Sequence, residues 1–394
     1  MVVIGGATGY ACTVNNGTWS CSAITEGVGP IATYTVTITA NEMAGYVFKE
    51  WVVNSGGITL ANKNSSTTTF TMPSNAVEVT ALYESVGMVT SALSNIILKG
   101  TAIIKALLGT NLVYEMKKPG RFIAVGESGK LFYSLDGLTW TASSLGVNVD
   151  LYNICYGNGR FVCVGESGLS YYSTDGITWT SMSGLSSSYN YYGVTYGDGK
   201  FVCVGEKGKS YYSVDGTSWI AMSGLPTSYF SAVTYGNGRF VCVGDDGKSY
   251  YSTNGTSWTS MSGLNSSYDY IGVAYGDGKF VCVGGSARSY YSTDGETWTS
   301  MSGLSGANYY GVTYGNGRFV CVGYNGNSYY STNGTSWTSM SGLSNYYHYG
   351  VCFGNNMFVA VGDSGYSGYS TDGETWTSMK IGTDTLRSIC YGEV

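Results

Sequence analysis

The stretch "GRFVCVGESGLSYYSTDGITW", residues 159–179, decides the fold, because close copies of it recur along the chain. In every copy a Phe and a Trp hold the same places. They are Phe122, Phe161, Phe201, Phe240, Phe280, Phe319 and Phe358, and Trp140, Trp179, Trp219, Trp258, Trp298, Trp337 and Trp376. Both series advance by 39 or 40 residues. A sustained period near 40 with strand-like composition predicts a β-propeller with one blade per repeat.

Each repeat is predicted to form four strands. In the third copy these are "GVTYG" (193–197), "KFVCVGE" (200–206), "KSYYSVDG" (209–216) and "TSWIAMSG" (217–224). Asn-Gly or Asp-Gly pairs separate the first two strands and supply the positive φ angles that a two-residue hairpin needs. The predicted fold class is therefore all-β, a seven-bladed β-propeller with four-stranded blades.

The two ends of the repeat array complement each other. The first copy starts near Gly120 with no "GVTYG" strand before it, and "SICYGEV" (388–394) provides such a strand with no repeat after it. We expect this C-terminal strand to complete the first blade and close the ring, because closure removes exposed sheet edges. The propeller is predicted to span residues 118–394.

The composition argues against several classes of protein. Charged residues make up 11% of the chain and the net charge is −6, whereas nucleic-acid binding needs a basic face. No run of 18 apolar residues occurs, so no membrane span is expected. Met1 is followed by "VVIGGATGYAC", which lacks the basic segment and apolar core of a secretory leader.

The chain before the repeats has a different pattern. Alternation in "YTVTITA", "VFKEWVV" and "VEVTALY" predicts a small antiparallel β-domain over residues 1–85, followed by a connector with short strands over 86–117. "GYVFKEW" and "TTTFTMPSNAVEVTALYE" resemble the bacterial surface repeat related to the internalin B-repeat, which implies a spacer or adhesion module without catalytic residues. "IILKGTAIIKALLGTNLVYE" resembles segments of tail-associated proteins of bacteriophages that infect gut bacteria.

The motif "S-x-D/N-G-x-S/T-W" resembles the Asp box, or bacterial neuraminidase repeat, which has one more residue between Asp and Trp. The resemblance implies a structural hairpin whose Asp or Asn accepts turn N–H groups and whose Trp packs between blades. Asn254 and Asn333 replace Asp in two copies, which a turn tolerates and an acid catalyst does not. The predicted structural residues are Asp136, Trp140, Asp175, Trp179, Asp215, Trp219, Asn254, Trp258, Asp294, Trp298, Asn333, Trp337, Asp372 and Trp376.

Catalytic constellations are poorly represented. The resemblance to the neuraminidase repeat raises the question of sialidase activity. In that family the reaction needs three arginines that bind a carboxylate, a Tyr–Glu nucleophile pair and an Asp acid. Four of the six arginines share one periodic slot before the repeated Phe, predicted to be an exposed hairpin position that only solvates the protein. They are Arg121, Arg160, Arg239 and Arg318. The remaining Arg288 and Arg387 cannot form the triad, and His348 is the only histidine. We expect no enzymatic activity, no cofactor and no metal site.

The ten cysteines fall into two groups. Eight lie in two strand slots where other repeats have Ala or Thr, which predicts small buried sites with free thiols and suits folding in a reducing cytoplasm. They are Cys155, Cys163, Cys203, Cys242, Cys282, Cys321, Cys352 and Cys390. Cys12 and Cys21 flank Asn16-Gly17. If that pair is a hairpin turn, the two cysteines face each other and a disulfide can form on release from the cell.

The repeats disagree mainly in two loops per blade, the turn from second to third strand and the connection from the fourth strand to the next blade. In an up-and-down blade both loops leave from one end of the ring. Tyr, Ser, Gly and Asn are typical of antibody binding loops, and aromatic rings beside amides and carboxylates also suit sugar rings. The alternative is that the tyrosines only fill the top of the channel. The predicted ligand-binding residues are Tyr189, Tyr191, Tyr192, Tyr229, Phe230, Tyr268, Asp269, Tyr270, Asn308, Tyr309, Tyr310, Tyr346, Tyr347, His348 and Tyr349.

These patterns favour a non-enzymatic recognition protein. We expect a bacteriophage virion or tail receptor-binding protein, assembled in the host cytoplasm and acting outside the cell. Its propeller would present the Tyr-rich face to a host-surface glycan or protein, and residues 1–117 would join other virion proteins. A secreted or cell-surface bacterial adhesin, a purely structural virion decoration protein and, less favoured, a glycosidase stay open, as does homo-oligomerisation.

Overall fold

The computed structural model describes the backbone of residues 12–15, 17–21, 35–41, 46–71, 77–85, 93–99, 102–108, 111–115 and 120–393, and the side chains of 35–41, 48–71, 77–83 and 120–393. The chain divides into two compact units, Met1–Met116 and Lys117–Val394. In the described ranges no helix has the length and apolar character needed to cross a membrane.

The first unit is built from short strands. They are β1 (Cys12–Asn15), β2 (Gly17–Cys21), β3 (Thr35–Ala40), β4 (Tyr46–Ser55), β5 (Thr67–Thr71), β6 (Val77–Ser85), β7 (Leu93–Lys99), β8 (Ala102–Leu108) and β9 (Asn111–Glu115). The described strands form three sheets with the orders β1-β6-β4, β2-β3-β5 and β7-β8-β9. All pairs are antiparallel except β1 with β6. The predicted boundary at residue 85 stays a prediction.

A small hydrophobic core draws on the first two of these sheets. Val36 and Ile38 of β3, Phe70 of β5 and Trp51 of β4 are buried in it. Alternate residues of β3 and β5 are buried, as expected for strands with one face against a core. The indole Nε1 of Trp51 donates a hydrogen bond of 3.0 Å to the carbonyl of Ser65, so its polar edge is satisfied.

Cys12 and Cys21 lie in different sheets. β1 places Cys12 opposite Val77 of β6, whereas β2 places Cys21 opposite Val36 of β3. The condition under which the two cysteines would face each other, a hairpin of the strands on either side of Asn16-Gly17, is therefore not met by the described pairing. The side chains of both cysteines lie outside the described residues, so the disulfide itself stays a prediction.

The second unit is a seven-bladed β-propeller of four-stranded antiparallel blades, which confirms the predicted fold class. Its strands are β10 (Gly120–Gly126), β11 (Lys130–Ser134), β12 (Thr141–Ser144), β13 (Leu151–Gly157), β14 (Arg160–Gly165), β15 (Ser170–Ser173), β16 (Thr180–Ser181), β17 (Tyr191–Gly197), β18 (Lys200–Gly205), β19 (Ser210–Ser213), β20 (Ile220–Ala221), β21 (Phe230–Gly236), β22 (Arg239–Gly244), β23 (Ser249–Ser252), β24 (Thr259–Ser260), β25 (Tyr270–Gly276), β26 (Lys279–Gly284), β27 (Ser289–Ser292), β28 (Thr299–Ser300), β29 (Tyr309–Gly315), β30 (Arg318–Gly323), β31 (Ser328–Ser331), β32 (Thr338–Ser339), β33 (His348–Gly354), β34 (Met357–Gly362), β35 (Tyr366–Ser370), β36 (Thr377–Lys380) and β37 (Leu386–Glu393). From first to fourth strand, blade 1 is β37, β10, β11 and β12. Blades 2 to 7 are β13–β16, β17–β20, β21–β24, β25–β28, β29–β32 and β33–β36.

The C-terminal strand closes the ring, as predicted. β37 pairs antiparallel with β10, with Phe122 opposite Tyr391 and Ile123 opposite Cys390. The rings of Phe122 and Tyr391 lie 4.8 Å apart. The first strands of neighbouring blades lie side by side all round the central channel, including β37 between those of blades 7 and 2.

A glycine at the end of each first strand lets the blades approach closely. A Cβ on Gly157 of blade 2 would lie 2.1 Å from Cγ of Tyr196 in blade 3, so no larger residue fits. Tyr196 in turn contacts Phe201 with ring centroids 4.8 Å apart. The same close approach to an aromatic ring recurs at Gly197, Gly236, Gly276, Gly315, Gly354 and Gly392. The repeated Phe, Tyr and Gly are therefore blade-packing residues.

The repeated Asp-Gly turn is held by its own side chains. In blade 1 the Oδ1 atom of Asp136 accepts the N–H groups of Leu138 at 2.8 Å and Thr139 at 2.7 Å, and the hydroxyl of Ser134 at 2.9 Å. The N–H of Thr139, above all, lowers the pKa of Asp136 to about 2, against the opposing effect of partial burial. Asn254 accepts two turn N–H groups at 2.9 and 3.0 Å, so an amide serves as well as a carboxylate.

The repeated Trp and Arg join neighbouring blades. Trp219 of blade 3 is buried, and its Nε1 donates a 3.0 Å hydrogen bond to Oγ of Ser170 in blade 2. Arg239 of blade 4 lies 4.8 Å over the ring of Tyr251 and pairs with Glu296 of blade 5 at 2.6 Å. The prediction that this arginine slot only solvates an exposed hairpin is therefore wrong, because the side chain covers the turn of the next blade and is 24% exposed.

The eight cysteines of the propeller are free thiols. Burial raises the pKa of Cys163 to about 12. Ala124 and Ala360 occupy the same slot in blades 1 and 7 and are also fully buried. The slot therefore accepts a small apolar side chain, whether Cys or Ala.

Candidate functional site

One end of the propeller carries the variable loops. Because successive strands of a blade run antiparallel, the turns from second to third strand and the connections between blades leave from one end, which we call the variable face. The Asp-Gly turns leave from the other end. A cavity of about 570 Å³ opens on the variable face at the mouth of the central channel. We call this cavity the channel mouth.

The second residue of every first strand lines the channel mouth. From blade 1 to blade 7 these residues are Arg387, Tyr152, Tyr192, Ser231, Ile271, Tyr310 and Tyr349. Tyr229 and Asp245 also reach the cavity. At the second position of the first strand, aromatic rings come from blades 2, 3, 6 and 7, while blades 4 and 5 have a small and an aliphatic side chain there.

Sequence reasoning missed Tyr152, Asp245 and Arg387. Alignment of the repeats could have identified two of them, because Tyr152 and Arg387 hold the same strand position as Tyr192. Their strands read "LYNICYG" (151–157) and "LRSICYG" (386–392), and the Leu that begins each one lacks the aromatic character that drew attention to the other blades.

The first residue of every first strand points into the blade. All seven are fully buried, namely Leu386, Leu151, Tyr191, Phe230, Tyr270, Tyr309 and His348. A register shift follows at once, so that Tyr191 pairs with Gly205 but Gly193 pairs with Val204, and the residue between them turns to the channel. For five predicted ligand-binding residues the prediction is wrong, because a fully buried ring offers no surface to a ligand. They are Tyr191, Phe230, Tyr270, Tyr309 and His348.

These buried rings anchor the connection that precedes them. The hydroxyl of Tyr270 accepts the N–H of Asn265 at 3.3 Å, and its ring meets Tyr290 edge-on with centroids 5.6 Å apart. Burial raises the pKa of Tyr270, which keeps the hydroxyl protonated. Tyr191 and Tyr309 make equivalent edge-on contacts in blades 3 and 6.

His348 takes this buried position in blade 7. Its Nδ1 lies 3.1 Å from the carbonyl oxygen of Tyr346, and its Nε2 has no hydrogen-bond partner among the described residues. Burial lowers the pKa of His348 to about 4, so the ring is neutral near pH 7.

We expect His348 to make the propeller less stable at pH 5 than at pH 7. The unfolded chain has an ordinary His pKa near 6.5, and in this window it binds a proton that the folded protein does not. The free energy of unfolding should therefore drop by about 2 kcal/mol between pH 7 and pH 5. Urea unfolding at both pH values measures the drop. H348F, which introduces the aromatic residue of blade 4, should lose most of it, and an equal drop in the variant would contradict this role.

Asp269 and Asn308 hold turns of the preceding blades. The Oδ1 atom of Asp269 accepts the N–H of Asp246 at 3.1 Å, and that of Asn308 accepts the N–H of Ser286 at 2.9 Å. Asp246 and Ser286 have φ values of 54° and 51°, in the sparsely populated left-handed region, so these bonds support an unfavourable backbone. Both acceptor side chains remain exposed, and their predicted ligand contacts stay predictions.

Several predicted tyrosines already have a partner on one ring face. The partners are Lys and Arg side chains or another tyrosine, all from the variable face or its edge. The pairs are Lys209 over Tyr189 at 5.0 Å, Arg288 over Tyr268 at 4.5 Å and Tyr366 stacked on Tyr346 at 3.4 Å.

Blades 6 and 7 carry four tyrosines in mutual contact, which we call the tyrosine track: Tyr324, Tyr347, Tyr310 and Tyr349. The rings of Tyr324 and Tyr347 lie 4.9 Å apart, and those of Tyr310 and Tyr349 lie 5.4 Å apart. Tyr347 and Tyr349 are 6.2 Å apart with only 20° between their planes. Tyr324 is 42% and Tyr347 37% exposed, so the track leads from an open surface into the channel mouth.

Two charged side chains line the channel mouth. Arg387 pairs with Glu127 at 2.7 Å and lies 5.2 Å over the ring of Tyr349. The carboxylate of Asp245 has no hydrogen bond or ion pair within the described part of the chain, and burial, followed by two neighbouring carboxylates, raises its pKa. The guanidinium of Arg387 is thus already paired with a carboxylate, whereas the carboxylate of Asp245 has no cationic partner among the described residues. Among described residues, no three His, Cys, Asp or Glu side chains gather into a metal site.

Comparison with protein families characterises the first unit. The family model of the divergent InlB B-repeat domain matches residues 10–87. The N-terminal unit is similar to InlB B-repeats. This bears out the predicted resemblance to the internalin B-repeat. No curated protein matches the chain.

Solved structures share the propeller fold. YCF48 bound to a D1 peptide matches with a TM-score of 0.51 and 18% identity, over 65% of this chain and 86% of that one. The WD40 propeller domain of Doa1 matches with a TM-score of 0.51 and 13% identity, over 68% of this chain and 89% of that one. The computationally designed protein Ika8 matches with a TM-score of 0.50 and 12% identity, over 69% of this chain and 91% of that one. At these identities the likeness shows the fold alone.

Proposed function

We propose that this protein is a non-enzymatic recognition protein that binds its ligand at the channel mouth. The observation that carries the proposal is a cavity of about 570 Å³ that five tyrosines help to line, Tyr152, Tyr192, Tyr229, Tyr310 and Tyr349. This volume falls in the range of about 300–1,000 Å³ typical of ligand pockets. Tyr offers rigid contact area at low entropic cost together with a hydroxyl for hydrogen bonding, as in antibody loops.

We place this activity on a bacteriophage virion or tail protein that binds a host-surface glycan or protein. The InlB-type repeat of the first unit supports a spacing or attachment role, with other virion proteins as its partners. The same ligand chemistry would serve a secreted or cell-surface adhesin. YCF48, a protein of similar propeller fold, was solved with a bound peptide, so a protein receptor is kept beside the glycan in the test.

Binding to the envelopes of gut bacteria tests this function. We expect the labelled full-length protein to bind saturably to cells or purified surface polysaccharides without releasing product. Y310A should weaken binding by about tenfold or more, because the ring forms part of the cavity wall. I177A, which changes an exposed side chain on an Asp-Gly turn at the other end, is the matched control and should bind like the wild type.

Each other outcome has a distinct meaning. Product released during binding would favour a glycosidase. Absence of binding to any envelope would favour a structural decoration protein. Equal affinities of Y310A and the wild type would place the site outside the channel mouth.

A further inference from the structure

We propose that the tyrosine track binds a neutral glycan chain, which crosses blades 6 and 7 and ends at the channel mouth. This site depends on the recognition function proposed above. It adds a location on the ring and a chemical class of ligand. A chain, unlike a single sugar, can contact the exposed rings and the cavity rings at once.

The track is a continuous aromatic surface. Tyr324 contacts Tyr347 at 4.9 Å, and Tyr347 lies 6.5 Å from Tyr310 and 6.2 Å from Tyr349 between ring centroids. Tyr310 and Tyr349 belong to the lining of the channel mouth. The open faces in such a series can contact successive flat units of one ligand, while Arg387 covers one face of Tyr349.

The propeller's own repeats show that these two exposed rings are unusual. Tyr324 begins the second-to-third-strand turn, and the equivalent residues of the other blades are Glu127, Glu166, Glu206, Asp245, Gly285 and Asp363. Tyr347 precedes a first strand, where the other blades have Asp150, Asn190, Tyr229, Asp269, Asn308 and Thr385. Only the junction of blades 6 and 7 has Tyr at both places. The two rings are exposed by 42% and 37% and contact each other, so they form a contiguous exposed aromatic patch, the kind of surface that marks a binding site.

The charges around the track favour a neutral ligand. Burial, above all, raises the pKa of Tyr347 and Tyr349; the nearby Asp363 carboxylate adds a smaller effect in the same direction, and Arg387 opposes it at Tyr349. Asp245 adds an unpaired carboxylate in the channel mouth, while the guanidinium of Arg387 is already paired. An anionic ligand would meet carboxylates and no unpaired cation here. Sugar hydroxyls, in contrast, can donate hydrogen bonds to these acceptors.

A basic peptide is the rival ligand, because aromatic faces and carboxylates also attract cations. On this face the cation-binding rings are taken by the protein's own side chains, as Arg288 over Tyr268 and Arg387 over Tyr349. Tyr324 and Tyr347 have no cation over them within the described residues and contact each other at 63°. Their open faces suit the apolar face of a sugar ring, so we assign the track to a glycan.

An array of neutral oligosaccharides, uronate-containing oligosaccharides and Lys/Arg-rich peptides, probed with the labelled full-length protein, tests this assignment. We expect binding to neutral oligosaccharides. The double variant Y324E/Y347N copies the pair Glu166 and Asn190 found at the junction of blades 2 and 3, so the fold should tolerate it. It should keep the melting temperature of the wild type and bind the neutral members about tenfold or more weakly. I177A is again the control.

Failure of the track and failure of the proposed function give different results. Equal binding of neutral oligosaccharides by Y324E/Y347N and the wild type would overturn the track and leave recognition at the channel mouth standing. Wild-type binding only to uronates or only to basic peptides would overturn the ligand class. No binding to the array or to bacterial envelopes would overturn the recognition function and the track together.

Discussion

Deletion of residues 386–394 is expected to prevent the propeller from folding. The deletion removes β37, the first strand of blade 1, and with it the buried Leu386 and the contact of Tyr391 with Phe122. It also leaves an unpaired sheet edge on β10, which favours aggregation, and exposes the surfaces of the first strands of blades 2 and 7 that pack against β37. Circular dichroism and limited proteolysis of the variant, residues 1–385, measure the loss of folded structure. No cooperative melting transition of the propeller should remain.

A repaired chain controls for the loss of residues as such. In this control the segment 386–392, followed by Asn-Gly, is inserted directly before Arg121 of the truncated protein. The new junction copies the hairpin at Asn158-Gly159 of blade 2. Because β37 then pairs with β10 through a short turn, folding should be restored. A truncated chain that melts like the wild type without this repair would show that the ring does not need β37.

Replacement of Tyr270 by Ala is expected to cost about 3–5 kcal/mol of folding free energy, the usual penalty for removing a large buried aromatic side chain. Tyr270 is fully buried, contacts Tyr290 edge-on at 5.6 Å and accepts the N–H of Asn265. Denaturant unfolding of the full chain measures the change. This expectation replaces the role predicted from sequence, in which Tyr270 was a ligand-binding residue.

Y270F separates packing from hydrogen bonding at this site. Phe fits the slot, since Phe230 occupies it in blade 4, so the variant should lose only about 1 kcal/mol for the bond to Asn265. Envelope binding by Y270F should match the wild type. If Y270A unfolded at the wild-type denaturant concentration while binding was lost, the ring would have to face the ligand after all.

Much of the variable face could be located from sequence, but its binding residues could not be chosen correctly. Comparison of the repeats identifies the loops that vary, and antiparallel pairing places them at one end. Within these loops the sequence shows Tyr191 and Tyr192 as equivalent neighbours. In the structure Tyr191 is buried and Tyr192 lines the channel mouth, where its hydroxyl donates to Glu206 at 2.9 Å.

The fold of the propeller was determined by the sequence alone. The period of the repeated Phe and Trp, the alternation within strands and the Asn-Gly and Asp-Gly turns are local signals, and closure by β37 follows from counting strands at the two ends. Only the tertiary structure decided the roles of individual side chains. A β-bulge interrupts the alternation of strand faces at each first strand, and side chains such as Arg239 find their partners in the next blade, dozens of residues away. Contacts of that kind depend on how blades meet, which no local pattern encodes.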